Sequence, residues 1–157
     1  KYDQAADYLN KLVEMDPNYV RTHTYLATVD YTMGRYEDAL NETEKRVVLQ
    51  GEMSTEEIAN GKRELLDALR AGGPKGYWSK ILEFTMQDIK KGKDVSALNL
   101  AHIYAELGQK AEAFKWLEKA HENDESDMAW LKVSPEWDKI RDDPRFGEML
   151  RKLKLSE

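Results

Sequence analysis

Histidine and glutamate side chains at helical spacing are the residues of this sequence with the most capacity for chemistry. His102 and Glu106 are four residues apart, and Glu118 and His121 are three apart, so each pair would share one helix face. The second spacing is one half of a di-iron bundle motif, whose other half is missing from the sequence. A zinc site at the first pair would need two more ligands that we cannot assign. We therefore expect hydrogen-bonded or solvated pairs, and no metal or other cofactor.

Other patterns that could support catalysis or phosphate binding are incomplete. The stretch 72–76, Gly-Gly-Pro-Lys-Gly, lacks the spacing of a phosphate loop and follows no predicted strand. His23 falls on a predicted helix, where a packing role is the default. No Ser/His/Asp arrangement is visible, and the 157 residues include no cysteine. The sequence accordingly predicts that the chain is not an enzyme.

The composition fits one soluble domain with its own core, because 41% of the residues are hydrophobic and 34% are charged. No run approaches the roughly 18 apolar residues of a membrane helix. Residues 1–60 carry 6 basic and 12 acidic side chains, whereas residues 61–157 carry 18 of each. The acidic first part argues against direct nucleic-acid binding; it is either a solvated face or a surface for an electropositive partner. The lack of cysteine agrees with a reducing compartment, and we expect a cytoplasmic location.

An internal repeat organises the first 125 residues. Some residues recur 34 positions apart, and others recur 74 positions apart, which is two such periods plus six extra residues. The matched positions are Tyr2 and Tyr36, Ala5 and Ala39, Leu26 and Leu100, Ala27 and Ala101, Gly34 and Gly108, and Ala39 and Ala113. The phase is therefore kept through a loosened middle repeat.

These residues resemble the tetratricopeptide repeat, a pair of antiparallel helices in 34 residues. The strongest match is the stretch 100–108, Leu-Ala-His-Ile-Tyr-Ala-Glu-Leu-Gly, followed by Ala113, Leu117 and Ala120. A second match, from Leu26 to Ala39, departs from the family at Asp30, where an aromatic residue is usual. The resemblance implies an all-α fold, an α-solenoid of antiparallel helix pairs. Residues 1–125 would hold a partial first repeat, one regular, one expanded and one regular repeat, so we expect the sequence to begin within a repeat.

Local signals place the helices. Gly34 and Gly108 end the first helix of their pairs, Ser54 and Glu57 form a capping box, and 72–74, Gly-Gly-Pro, closes a helix. Helices are predicted at residues 1–15, 19–33, 36–50, 54–71, 75–91, 95–107 and 111–123.

The segment 126–157 is predicted to be a capping region of short helices, two of which begin at Ser134-Pro135 and Asp143-Pro144. Its apolar residues would cover the open face of the last repeat. They are Trp130, Leu131, Val133, Trp137, Ile140, Phe146, Met149, Leu150 and Leu153. The stretch from Trp130 to Leu155 also resembles the closing segment of repeat regions in multidomain bacterial signalling proteins. That resemblance implies the carboxyl-terminal part of a larger regulatory protein, linked to a DNA-binding, cyclase or kinase domain.

Side chains on the first helix of each pair would line a concave groove, because residues three or four apart project together. The predicted groove residues are Arg21, Thr24, Thr28, Tyr31, Arg63, Asp67, Arg70, Leu98, Asn99, His102 and Glu106. Arg63 and Arg70 could receive a carboxylate and Tyr31 could be an aromatic anchor; alternatively, each is a solvated polar position. The family's Lys/Asn carboxylate clamp agrees here only at Asn99.

Exposed aromatic residues form a second candidate surface, made of Tyr77, Trp78, Phe114 and Trp116, although core packing is the commoner role at this spacing. The sequence thus predicts a protein-interaction scaffold that binds a peptide or partner helix, or pairs with itself. The alternative is a sensor that binds a small ligand and regulates a linked domain.

Overall fold

The structure, a computed structural model, describes residues 1–51 and 53–155. These residues form seven α-helices and two short 3₁₀ segments, and none of them lies in a strand. The helices are α1 (Tyr2–Met15), α2 (Val20–Thr32), α3 (Tyr36–Gln50), α4 (Thr55–Lys90), α5 (Ala97–Glu106), α6 (Lys110–Glu122) and α7 (Pro144–Lys152). The 3₁₀ segments are Ser126–Trp130 and Pro135–Trp137. The predicted all-α fold of paired helices is confirmed.

Internal contacts divide the chain into two units, Lys1–Arg70 (unit 1) and Ala71–Glu157 (unit 2). The division falls within α4, close to Gly73, whose φ of 60° and ψ of −153° interrupt the helical geometry. Glycine adopts this conformation without the steric cost that a Cβ would bring. The expected stop at 72–74 is therefore a break at Gly73 alone, with helix on both sides. The predicted boundary between residues 125 and 126 stays a prediction, and residues 156 and 157 lie outside the described part.

Unit 1 is built around α2, which packs against α1 on one side and α3 on the other. Asp16 and Pro17 separate α1 from α2, since the residue before proline disfavours helix. Gly34, at φ +77°, makes the turn from α2 to α3. The buried apolar residues of this unit are Ala6, Leu26, Ala27, Val29, Ala39, Leu40 and Leu65.

The start of α4 is fixed by side-chain hydrogen bonds within unit 1. The predicted capping box is present: the Ser54 amide donates to Glu57 Oε2 at 2.8 Å, and the Glu57 amide donates to Ser54 Oγ at 3.3 Å. One turn further on, Lys62 Nζ donates to Glu44 Oε2 at 2.6 Å and to Asn41 Oδ1 at 2.7 Å, which joins α4 to α3.

Unit 2 has its main core between α5, α6 and the segment that follows them. Small residues of the two helices are completely buried, because they allow the backbones to approach closely. These are Ala101, Ala105, Ala113 and Ala120. Larger buried residues, Leu100, Ile103 and Leu117, lie on the same two helices, and each contributes about 1.5–3 kcal/mol by its burial. Gly108, at φ +73°, makes the turn between α5 and α6 as predicted.

The closing segment contains short helices that begin at the predicted prolines. Pro135 opens a 3₁₀ segment and Pro144 opens α7, where Asp143 Oδ1 accepts the Arg145 amide at 3.1 Å. Seven of the nine apolar residues predicted to form the cap are buried or half-buried. The prediction is wrong for Trp130 and Val133, whose exposed fractions are 60% and 69%.

Their exposure follows from the geometry of the chain after Ser126–Trp130. Leu131 is the residue that turns into the core, at 1% exposure, whereas Trp130 before it and Val133 two positions after it face outward. Arg141 holds this backbone in place, because its Nη1 and Nη2 donate to Lys132 O at 2.6 Å and Ser134 O at 2.8 Å.

Candidate functional site

One face of α2 carries polar and aromatic side chains toward solvent, and we call Arg21, Thr24, Tyr25, Thr28 and Tyr31 the α2 surface. Arg21, Thr24 and Tyr25 are exposed, and Thr28 and Tyr31 are half-buried. Both threonines also bond along the helix: Thr24 Oγ1 donates to Val20 O at 3.2 Å, and Thr28 Oγ1 donates to Thr24 O at 3.0 Å. The structure therefore brings together all four residues that the sequence analysis assigned to this helix.

Tyr25 is a member of this face that the sequence analysis missed, and it is 47% exposed. The signal was present in the spacing. Tyr25 follows Thr24 directly and precedes Thr28 by three positions, which puts it on the same side of a helix with 3.6 residues per turn.

The opposite face of α2 is held by polar contacts of two buried residues, His23 and Asp30. His23 is 1% exposed, its Nδ1 is 2.7 Å from Glu42 Oε2 on α3, and its Nε2 is 2.8 Å from Pro17 O. Near the other end of α2, Asp30 Oδ1 lies 3.0 Å from Arg35 Nη2. The α2 surface is thus presented by a helix that is anchored along its buried side.

Asp30 occupies the position where the family usually has an aromatic residue, and the structure gives a reason for the difference. Burial raises the pKa of Asp30, and the positive charge of Arg35 opposes that rise. Arg35 lies just after the turn at Gly34, so the ion pair joins the last turn of α2 to the start of α3.

The second predicted group, Arg63, Asp67 and Arg70, lies on one exposed face of α4 within unit 1. Arg63 Nη2 donates to Asn60 Oδ1 at 2.8 Å, and Arg70 Nη1 donates to Asp67 Oδ1 at 3.3 Å. The Asp67 and Arg70 side chains are 64% and 70% exposed, so water screens this pair and it contributes little to stability. Both guanidinium groups are therefore accessible to a ligand.

The third group, on α5 in unit 2, does not line an open groove. Leu98 is 9% exposed and belongs to the core. His102 is 7% exposed, and its ring makes edge contacts with Trp78 at 4.9 Å and Trp137 at 5.8 Å between centroids. Asn99 alone is exposed.

The closing segment covers this face of α5. Lys139 Nζ donates to Glu106 Oε2 at 2.6 Å, and the Glu106 side chain is only 9% exposed. Burial would raise the pKa of Glu106, but the nearby His102 ring and the hydrogen bond from Lys139 outweigh it and lower the pKa. His102 Nε2 lies 3.8 Å from Glu106 Oε1, so these two residues do share a helix face. Contacts inside unit 2 therefore occupy the side chains of Leu98, His102 and Glu106.

Glu118, a member of the second histidine–glutamate pair in the sequence, makes a structural contact. Glu118 Oε1 accepts from Lys152 Nζ at 2.6 Å, which joins α6 to α7. Among residues 1–51 and 53–155, no group of three or more histidine, aspartate or glutamate side chains is arranged to hold a metal ion. Within the same ranges, no helix combines the length and the apolar character needed to cross a membrane.

The second candidate surface turns out to be core. Tyr77, Trp78 and Phe114 are 4%, 5% and 6% exposed. Trp116 is half-buried and packs against the core of unit 2. The core-packing alternative is therefore confirmed for Tyr77, Trp78 and Phe114, which are not available as interface anchors.

Two shallow hollows lie on unit 2. The larger has a volume of about 590 Å³, and Glu125, in its wall, binds the Ser96 hydroxyl and the amides of Ala97 and Leu98. Its lining residues are Asp94, Val95, Ser96, Asn123, Glu125, Ser126 and Asp127. Glu125 is thus committed to the start of α5. The alternative function, a sensor that binds a small ligand and regulates a linked domain, stays a prediction.

Comparison with known proteins agrees with this architecture. The family model of the tetratricopeptide repeat matches residues 96–127, which contain α5, the turn at Gly108 and α6. Residues 96–127 are therefore similar to one tetratricopeptide repeat. Proteins of this family are generally protein-interaction modules without a catalytic role. No curated protein and no solved structure matches the chain.

Proposed function

We propose that the chain binds a peptide or a helix of another protein on the α2 surface. The observation that supports this most directly is the division of α2 into two faces. One face, with His23, Leu26 and Ala27, is buried in unit 1, whereas the other carries Tyr25 and Arg21 into solvent. A helix fixed on one side offers its other side to a partner at low cost in conformational entropy.

The side chains of the α2 surface suit a polypeptide ligand. Tyr25 and Tyr31 supply rigid aromatic area, and tyrosine is enriched at the residues that dominate protein interfaces. Arg21 supplies a guanidinium group for a carboxylate or a backbone carbonyl. Thr24 and Thr28 keep the centre of the surface small, so an extended chain or a helix could approach the α2 backbone closely.

A second contact surface in this proposal is the exposed face of α4 with Arg63, Asp67 and Arg70. Their intrahelical hydrogen bonds are exposed and weak, so an acidic group of a partner could replace Asp67 as the ligand of Arg70. Asn99 is the remaining predicted groove residue with an exposed side chain. Membership of a larger regulatory protein stays a prediction, supported by the resemblance of the segment from Trp130 to Leu155.

The test compares matched variants of the immobilised chain. The double variant Thr24→Glu/Thr28→Glu places two negative charges at the centre of the α2 surface. Lys115→Glu, on the exposed side of α6, makes a comparable change of charge elsewhere. We expect proteins retained by the unmodified chain to be retained equally by Lys115→Glu and at least about tenfold less by the double variant. Equal retention by all three forms would refute the proposal.

A further inference from the structure

We draw no further inference here: the strongest candidate, the exposed apolar patch that Trp130 and Val133 form in the closing segment of unit 2, carries none, because nothing in the structure shows what covers it.

Discussion

The His23 ring is hydrogen-bonded to Glu42 across the interface between α2 and α3, with 2.7 Å between Nδ1 and Oε2. Its other nitrogen faces Pro17 O at 2.8 Å, and a carbonyl oxygen can only accept, so Nε2 carries a hydrogen. Burial would raise the pKa of Glu42, but hydrogen bonds from Lys45 and His23 outweigh it and lower the pKa. Both ring nitrogens of His23 therefore have a hydrogen-bond partner.

This contact should be worth more than a surface ion pair, because His23 is 1% exposed. We expect His23→Ala to lower the free energy of unfolding by about 3 kcal/mol, since it leaves the Glu42 carboxylate poorly compensated. A double-mutant cycle with Glu42→Ala, measured by urea denaturation, should give a coupling energy of about 1–3 kcal/mol. A coupling energy near zero would show that the pair does not hold the helices together.

Glu125 caps the first turn of α5 from a distant part of the chain. Its carboxylate accepts from Ser96 Oγ at 2.6 Å, the Ala97 amide at 2.8 Å and the Leu98 amide at 3.2 Å. We expect Glu125→Ala to cost about 1–2 kcal/mol, as loss of a helix cap does. Asp127→Ala is the control, because Asp127 is exposed nearby and should change stability by less than about 0.5 kcal/mol.

The contribution of Glu125 to the stability of the fold should decrease as the pH is lowered. Burial would raise its pKa, but the hydrogen bonds from Ser96, Leu98 and Ala97 lower it overall. A lowered carboxyl pKa gives stability that is full above the ordinary glutamate pKa of about 4.3 and is lost as pH falls through the folded-state value. The difference between parent and Glu125→Ala should therefore be larger at neutral pH than at about pH 3. An equal difference at both would contradict the role of the ionised carboxylate.

Two tryptophans in the closing segment should respond very differently to truncation. Trp137 is 1% exposed and contacts His102, whereas Trp130 is 60% exposed. We expect Trp137→Ala to destabilise the chain by about 3–5 kcal/mol and Trp130→Ala by less than about 1 kcal/mol. Thermal melting followed by circular dichroism distinguishes them. Similar losses for both would mean that the closing segment packs differently.

Gly34 and Gly61 both have room for an added methyl group, but only Gly34 has a left-handed backbone conformation. A Cβ at Gly34 or at Gly61 would meet no atom within 4 Å, but Gly34 has φ +77°. Gly34→Ala should cost about 1 kcal/mol, whereas Gly61→Ala within α4 should stabilise by about 0.5–1 kcal/mol. Opposite shifts of the denaturation midpoint are expected. If Gly34→Ala proved stabilising, the assigned left-handed turn would be wrong.

Features encoded by a few neighbouring residues were predictable from the sequence. The turns at Gly34 and Gly108, the capping box of Ser54 and the start of α7 at Pro144 each depend on contacts within four residues, and all are present. The facing of α2 was predictable too, because Thr24 and Thr28 lie where helical periodicity puts them.

Features that depend on contacts between distant residues were not predictable. His102 was assigned to an open groove, but Trp137, 35 residues later in the sequence, covers it. Trp130 was assigned to the cap because it is apolar, yet the path of the 3₁₀ segment turns Leu131 inward instead. Short irregular segments lack the periodicity that reveals a buried face.

Photo-crosslinking from the α2 surface is the most direct test of the proposed function. A benzoylphenylalanine at position 24, in place of Thr24, samples the centre of that surface, and the same residue in place of Lys115 samples an exposed site on α6. We predict that irradiation with extract of the source cell gives a discrete adduct from position 24, which maps to one segment of a partner protein, and none from position 115. The same adducts from both positions, or an adduct from position 115 alone, would contradict binding at the α2 surface.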